Sequence, residues 1–184
     1  VASYVFGDGG FTSRLMEKVR SNEGLAYGVD SDVGIDYLRQ ATVGVSLQTK
    51  VETGAYAIKI VLDEMERMAK DGITDAELQR AKDGLIKSLP SLFDTPASTA
   101  RILAQGEIWK RSPDHYLEYI KTLNKMGKAE VNAAFRKYFQ RDSMRIVVVG
   151  PKDALLRKDE RTGLQLGSLG PVKELSLKDI EARK

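Results

Sequence analysis

The sequence predicts an α+β domain in which an antiparallel sheet carries helices on one face. Two stretches, at about residues 26–35 and 40–49, alternate apolar and polar residues with the period of a half-buried strand. From about residue 52 to 139 the apolar residues recur at helical spacing, with Gly and Pro between segments. A last apolar run at 144–149 returns to strand character. Strands grouped in this way, without βαβ alternation, favour an antiparallel sheet.

Residues 1–10 read as the end of one element followed by the turn Gly7-Asp8-Gly9-Gly10. Residues 11–21 read as a helix, with Phe11, Leu15 and Val19 as its apolar stripe and Thr12 as an early cap. Gly24 suits the left-handed position that ends it. In the first strand Tyr27, Val29, Val33 and Ile35 share the core parity, opposite Gly28, Asp30, Asp32 and Gly34. In the second, Ala41, Val43, Val45 and Leu47 face inward.

A long amphipathic helix over about 52–70 carries Ala55, Ile58, Val61, Leu62, Met65 and Met68 on one stripe, and Gly72 closes it. Thr74 and Glu77 form a capping box for a helix that stops at Pro90. Thr95-Pro96 and Ser112-Pro113 start two more, reaching about 110 and 123. Residues 128–139 form another, apolar at Val131, Ala134, Phe135, Tyr138 and Phe139. The near-continuous run 144–149 reads as a central strand, and Gly150-Pro151 ends it. The predicted core includes Val43, Val45, Val61, Leu62, Met65, Leu85, Ile146 and Val148. Residues 1–155 form the domain, and 156–184 a loop-rich tail with short extended pieces near 164–169.

Composition removes several chemistries. The 184 residues contain no cysteine and one histidine, His115. That excludes thiolate catalysis, disulfides and Cys-ligated zinc, and it leaves too few ligands for a catalytic zinc site. His115 and Glu118 match part of the inverted zinc motif H-x-x-E-H, but Tyr119 stands at the final histidine position. His115 therefore reads as a surface or partly packed residue. The formal charge of +3 is spread among interleaved acids and bases, unlike the basic stripe of a nucleic-acid binder. No run approaches the ~18 apolar residues of a membrane helix. The glycine turn at Gly7 to Gly10 lacks both the third glycine of a dinucleotide fingerprint and the Gly-Lys-Ser/Thr of a P-loop. It reads as a tight turn, with small-anion binding as the weaker alternative.

Residues 9–15 (GGFTSRL), Val19-Arg20, a three-residue spacer, and Gly24-Leu25-Ala26-Tyr27 carry more information. Taken alone, Arg20 is a cation favoured in a last helical turn and Tyr27 a core tyrosine. Together the pattern resembles the helix–turn–strand of the inactive C-terminal-type domain in the pitrilysin, insulysin and mitochondrial-processing-peptidase family of zinc metallopeptidases. The capped helix at Thr74 and the run before Gly150 resemble later parts of that domain, so the likeness spans about 4–155.

The resemblance implies a non-catalytic, substrate-binding half of a zinc endopeptidase, with Arg20 and Tyr27 binding the peptide backbone. It places no catalytic residue and no metal in this chain. Zinc would belong to a partner domain, fused or separate, and the substrate would be a peptide. The same fold also implies an alternative, a structural scaffold without peptidase activity. The family domain begins with another strand and most of a helix ahead of the glycine turn, so the resemblance further implies an N-terminally truncated domain. It inclines the location towards the bacterial periplasm or envelope.

Overall fold

The computed structural model describes residues 1–34 and 41–176. The predicted positions Ile35 and Gln40 therefore lie outside the described residues. The architecture is helix-rich around a small antiparallel sheet, as the sequence predicts. Strand β1 (Ala26–Val33) pairs with β2 (Val43–Thr49). The main helices are α1 (Gly54–Asp71), α2 (Asp75–Ser88), α3 (Pro96–Ile108), α4 (His115–Lys125), α5 (Lys128–Tyr138) and the short α6 (Lys152–Leu155). Ahead of the sheet lie two widened, π-type helical segments, Tyr4–Asp8 and Met16–Asn22, joined by a 3-10 turn at Gly10–Thr12.

The core forms where these N-terminal segments, the sheet, α1 and α5 meet. Leu15 and Val19 are fully buried, as their helical spacing requires. Helix α1 buries Ala57, Val61, Leu62, Met65 and Met68, with Val43, Val45 and Leu47 of β2 packed against the cluster. Phe135 and Phe139 stack at 4.3 Å between ring centroids, and Phe6 meets both edge-on at 5.2 and 5.4 Å. Burying an aromatic side chain contributes about 1.5–3 kcal/mol, so this trio ties the N-terminus to α5 strongly.

The helix signals hold at their positions. Gly72 closes α1 at φ +75°. Thr74 accepts from the Glu77 backbone N–H, and the Glu77 carboxylate accepts from the Thr74 N–H. Thr95 and Ser98 cap α3 in the same reciprocal way, with Pro96 in its first turn.

Close approach explains two of the glycines. A Cβ on Gly7 would lie 2.5 Å from the Ser31 nitrogen, where the first helical segment crosses β1. A Cβ on Gly84, in the middle of α2, would fall 2.7 Å from the Tyr4 Cζ. Ser31 points into the core, and Ser3 satisfies its hydroxyl at 3.0 Å.

The structure departs from the sequence expectations in three places. Residues 144–149 join no ladder, and Ile146 and Val148, expected in the core, are exposed. Val147 and Val149 are 84% and 94% exposed. Composition gives a segment strand propensity, but a strand persists only when its N–H and C=O groups find a ladder. Among the described residues, β1 and β2 pair only with each other. Second, Leu85 is half-buried, while Ala134 and Tyr138 of α5 face solvent. Third, Phe11, Tyr27 and Val33 leave the faces on which their spacing places them, and all three are exposed.

Candidate functional site: an arginine held by two exposed rings

The departures at Phe11 and Tyr27 create the site. Gly9 presses onto the Tyr4 carbonyl, where a Cβ would come within 2.5 Å, and Gly10 takes φ +56°. The chain then makes a 3-10 turn rather than continuing as a helix. Thr12 Oγ1 donates to the Gly9 carbonyl at 2.9 Å, and Ser13 Oγ to the Gly10 carbonyl at 2.8 Å. Ser13, not Thr12, also accepts from a backbone N–H in the first helical turn, that of Met16, at 3.4 Å. This turn takes Phe11 out of line with Leu15 and Val19 and leaves it 73% exposed.

Arg20 lies in the last turn of the segment Met16–Asn22. Gly24, at φ +62°, ends that segment. Its N–H donates to the Arg20 carbonyl at 3.0 Å, and the Leu25 N–H to the Val19 carbonyl at 2.9 Å. Val19 faces the core, and Arg20 turns outward.

Strand β1 opens with an irregularity. Ala26 pairs with Thr49 and Val29 with Leu47, so three β1 residues advance against two on β2. Ala26 and Val29 can both point inward, and Tyr27 points away, 86% exposed. A glycine inside a strand pattern is a signal for such a bulge, and Gly28 stands at this point.

The result brings the two sequence-predicted site residues together. The Arg20 guanidinium carbon lies over the Tyr27 ring at 4.8 Å and over the Phe11 ring at 4.5 Å from the centroids. No carboxylate pairs with Arg20 among the described residues. The arrangement presents a cation, a phenol and an aromatic ring to solvent on one surface. Their chemistry is to donate hydrogen bonds to carbonyl or carboxylate oxygens while offering an apolar face. Spacing alone places Phe11 in the core, and the sequence signal for its exposed position is the glycine pair directly before it.

Arg14, inside the same motif, has different work. Its Nε and Nη2 donate to Glu77 at 2.6 and 2.8 Å, a two-point contact, and Nη2 also donates to the Gly72 carbonyl at 2.9 Å. Nη1 reaches buried Glu64 at 3.5 Å, which Arg67 also approaches at 3.4 Å. The Arg14 hydrogen bond holds the Glu77 carboxyl down at about 2, well below its ordinary 4.5. Arg14 therefore fastens the N-terminal segment to the α1–α2 junction and is spent on structure.

The glycine turn is packed for geometry rather than for anions. Burial, with Asp30 and Asp32 nearby, pushes the Asp8 carboxyl up, which marks an electronegative surrounding. His115 begins α4, half-buried and edge-on to Tyr116 at 5.1 Å. Among the described residues, no group of three or more His, Asp or Glu is arranged to hold a metal ion. A cleft of about 220 Å³ lies between Lys18, Asn22 and Glu23 on one side and Ile60, Asp63, Glu64 and Arg67 on the other. It does not include Arg20, Tyr27 or Phe11.

Comparison with known proteins agrees with this motif and fold. Residues 1–85 match the family described as the peptidase M16 inactive domain, and they contain the whole Phe11–Arg20–Tyr27 cluster. A Helicobacter pylori protein named non-peptidase homolog YmxG is 29% identical over 153 residues, 83% of this chain and 35% of its own length. A Mycobacterium tuberculosis protein named as an uncharacterized zinc protease is 32% identical over 136 residues, 72% of this chain and 30% of its own. The chain thus spans about a third of the length of these curated relatives. A crystal structure of a peptidase M16 inactive domain from Pseudomonas fluorescens superposes with a TM-score of 0.64 at 28% identity, covering 74% of this chain and 32% of that one. A putative zinc protease from Bordetella pertussis shares the fold, with a TM-score of 0.60 at 18% identity over 77% of this chain and 76% of that one. The first 85 residues are thus of the peptidase M16 inactive-domain type, and over most of its length the chain is similar to proteins named for that domain or as zinc proteases.

Proposed function

We propose that this chain is the non-catalytic half of a peptide-hydrolysing unit and binds the peptide backbone through Arg20 and Tyr27. The observation that carries the reading is the exposed cation–aromatic cluster. Arg20 rests on two rings that a purely structural surface has no reason to leave in water. Large exposed apolar groups gathered at one place mark interaction sites. The core role that would otherwise explain Tyr27 is absent, because the ring is outside the core.

The residues of this chain do not fit a zinc site, having one histidine and no cysteine. Zinc and the hydrolytic step belong in this reading to a partner domain of the same family. This chain contributes orientation and charge. The Arg20 guanidinium donates charge-assisted hydrogen bonds to a peptide carbonyl. The Tyr27 hydroxyl donates to the oxygen that gains negative charge at the attacked carbonyl, a placement that favours the transition state over the bound peptide.

A second reading, a scaffold without peptidase activity, draws on one observation: the Helicobacter pylori relative is named a non-peptidase homolog. The two readings differ in what Arg20 and Tyr27 do. With chain and zinc-bearing partner reconstituted, Tyr27→Phe is expected to lower single-turnover cleavage by up to the 10²–10³ that loss of one oxyanion donor costs. Arg20→Ala is expected to weaken peptide binding as well. Melting temperatures should stay near wild type, since Tyr27 is exposed. Unchanged turnover in both variants would favour the scaffold.

A further inference from the structure

We infer that Phe11 is a third member of the site, a positioning residue that orders Arg20 for a planar oxygen acceptor on an extended peptide. The inference rests on the reading of Arg20 and Tyr27 as the peptide-binding pair. Its starting point is that Phe11 has the spacing of a core residue relative to Leu15 and Val19 and yet is 73% exposed. The backbone holds it there by several independent features. Gly9 is pressed on the Tyr4 carbonyl, Gly10 sits at φ +56°, and the Thr12 and Ser13 hydroxyls fasten the turn to Gly9 and Gly10. A loosely exposed phenylalanine needs none of this.

What the turn achieves is contact with Arg20. The guanidinium carbon is nearer the Phe11 ring, at 4.5 Å, than the Tyr27 ring, at 4.8 Å. A guanidinium is planar and its N–H donors radiate within the plane. The two rings touch the guanidinium through its carbon, 4.5 and 4.8 Å from their centroids, and have no carboxylate or carbonyl oxygen to take its N–H groups. They also restrict a long side chain that would otherwise sample many rotamers, so less freedom is lost when a ligand binds. Among the described residues no carboxylate occupies those donors. The ligand chemistry that fits is an sp² oxygen: an internal peptide carbonyl, or the carboxylate of a peptide C-terminus.

The experiment is fluorescence anisotropy on the full chain. The probe is a short unstructured fluorescein-labelled peptide, prepared with a free and with an amidated C-terminus. Phe11→Leu is expected to weaken binding roughly threefold to thirtyfold, the range of a cation–π contact. Phe11→Tyr should bind like wild type, and melting temperatures should match across the set. Equal loss on both probe forms identifies an internal carbonyl; loss confined to the free acid identifies a terminal carboxylate. Wild-type affinity in Phe11→Leu, alongside lost binding in Arg20→Ala, overturns the role of Phe11 and leaves the underlying reading intact. A lowered melting temperature in Phe11→Leu also overturns it, by making the residue structural. If wild type binds neither probe form, or Arg20→Ala binds like wild type, both fall.

Discussion

Within one motif of about a dozen residues, neighbouring arginines do opposite things. Arg14 is consumed by Glu77, Glu64 and the Gly72 carbonyl, whereas Arg20 rests on aromatic rings and meets no carboxylate among the described residues. Sequence alone does not separate them, because the partners of Arg14 lie 50 or more positions away. The difference has a measurable consequence with pH. Glu77 is depressed to about 2 in the folded chain from an ordinary 4.5. A depressed carboxyl stabilises the fold above its unfolded value and loses that contribution as pH falls through the folded one. Thermal melts should therefore drop between about pH 4.5 and 2. Glu77→Gln should start lower at neutral pH, by about 1.5–3 kcal/mol for charged hydrogen bonds, and fall less steeply across that window. Parallel melting curves for the two proteins would contradict the Arg14–Glu77 account. Strand parity alone also puts Tyr27 in the core, whereas the ring is exposed. Parity counting assumes a regular strand, and the irregularity beginning at Ala26 inverts it for the first residues. Gly28 was the available warning.

At the scale of elements, local signals were the legible ones. Capping residues act within one turn, so Thr74, Thr95 and the glycine at 72 fixed helix ends that the structure keeps. Apolar stripes were equally readable where one helix face meets the core, as in α1. The run at 144–149 shows the limit. Its β-branched residues state a propensity, while strandedness depends on a neighbour that composition does not name. The widened turns at Tyr4–Asp8 and Met16–Asn22 were not legible either, since the same apolar positions serve an ordinary helix. Gly84 provides a test at this scale. By helix propensity alone, Gly84→Ala should stabilise α2 by about 1 kcal/mol. The Tyr4 ring occupies the space, with Cζ 2.7 Å from where the new methyl would sit. Overpacking of this kind typically costs about 1–3 kcal/mol, so chemical denaturation should show a net loss. A gain would mean that Tyr4 moves aside freely.

At the scale of the whole molecule, the core joins N-terminal segments, sheet, α1 and α5, and the cluster of Phe11, Arg20 and Tyr27 sits outside it. The separation of packing from cluster suits the proposed substrate-binding role, and it predicts that the cluster can be altered without unfolding the chain. The ligand inventory makes a further expectation: elemental analysis of the untagged chain should give well under one zinc per molecule, whereas one tightly held zinc would contradict its assignment as the inactive half. The most direct test of the central claim is single-turnover peptide cleavage by the zinc-bearing partner, measured alone, with this chain, and with a chain carrying both Arg20→Ala and Tyr27→Phe. The account predicts near-background cleavage for the partner alone, restored cleavage with the wild-type chain, and loss on the order of 10²-fold or more with the double variant at an unchanged melting temperature. Full-rate cleavage with the folded double variant would contradict it.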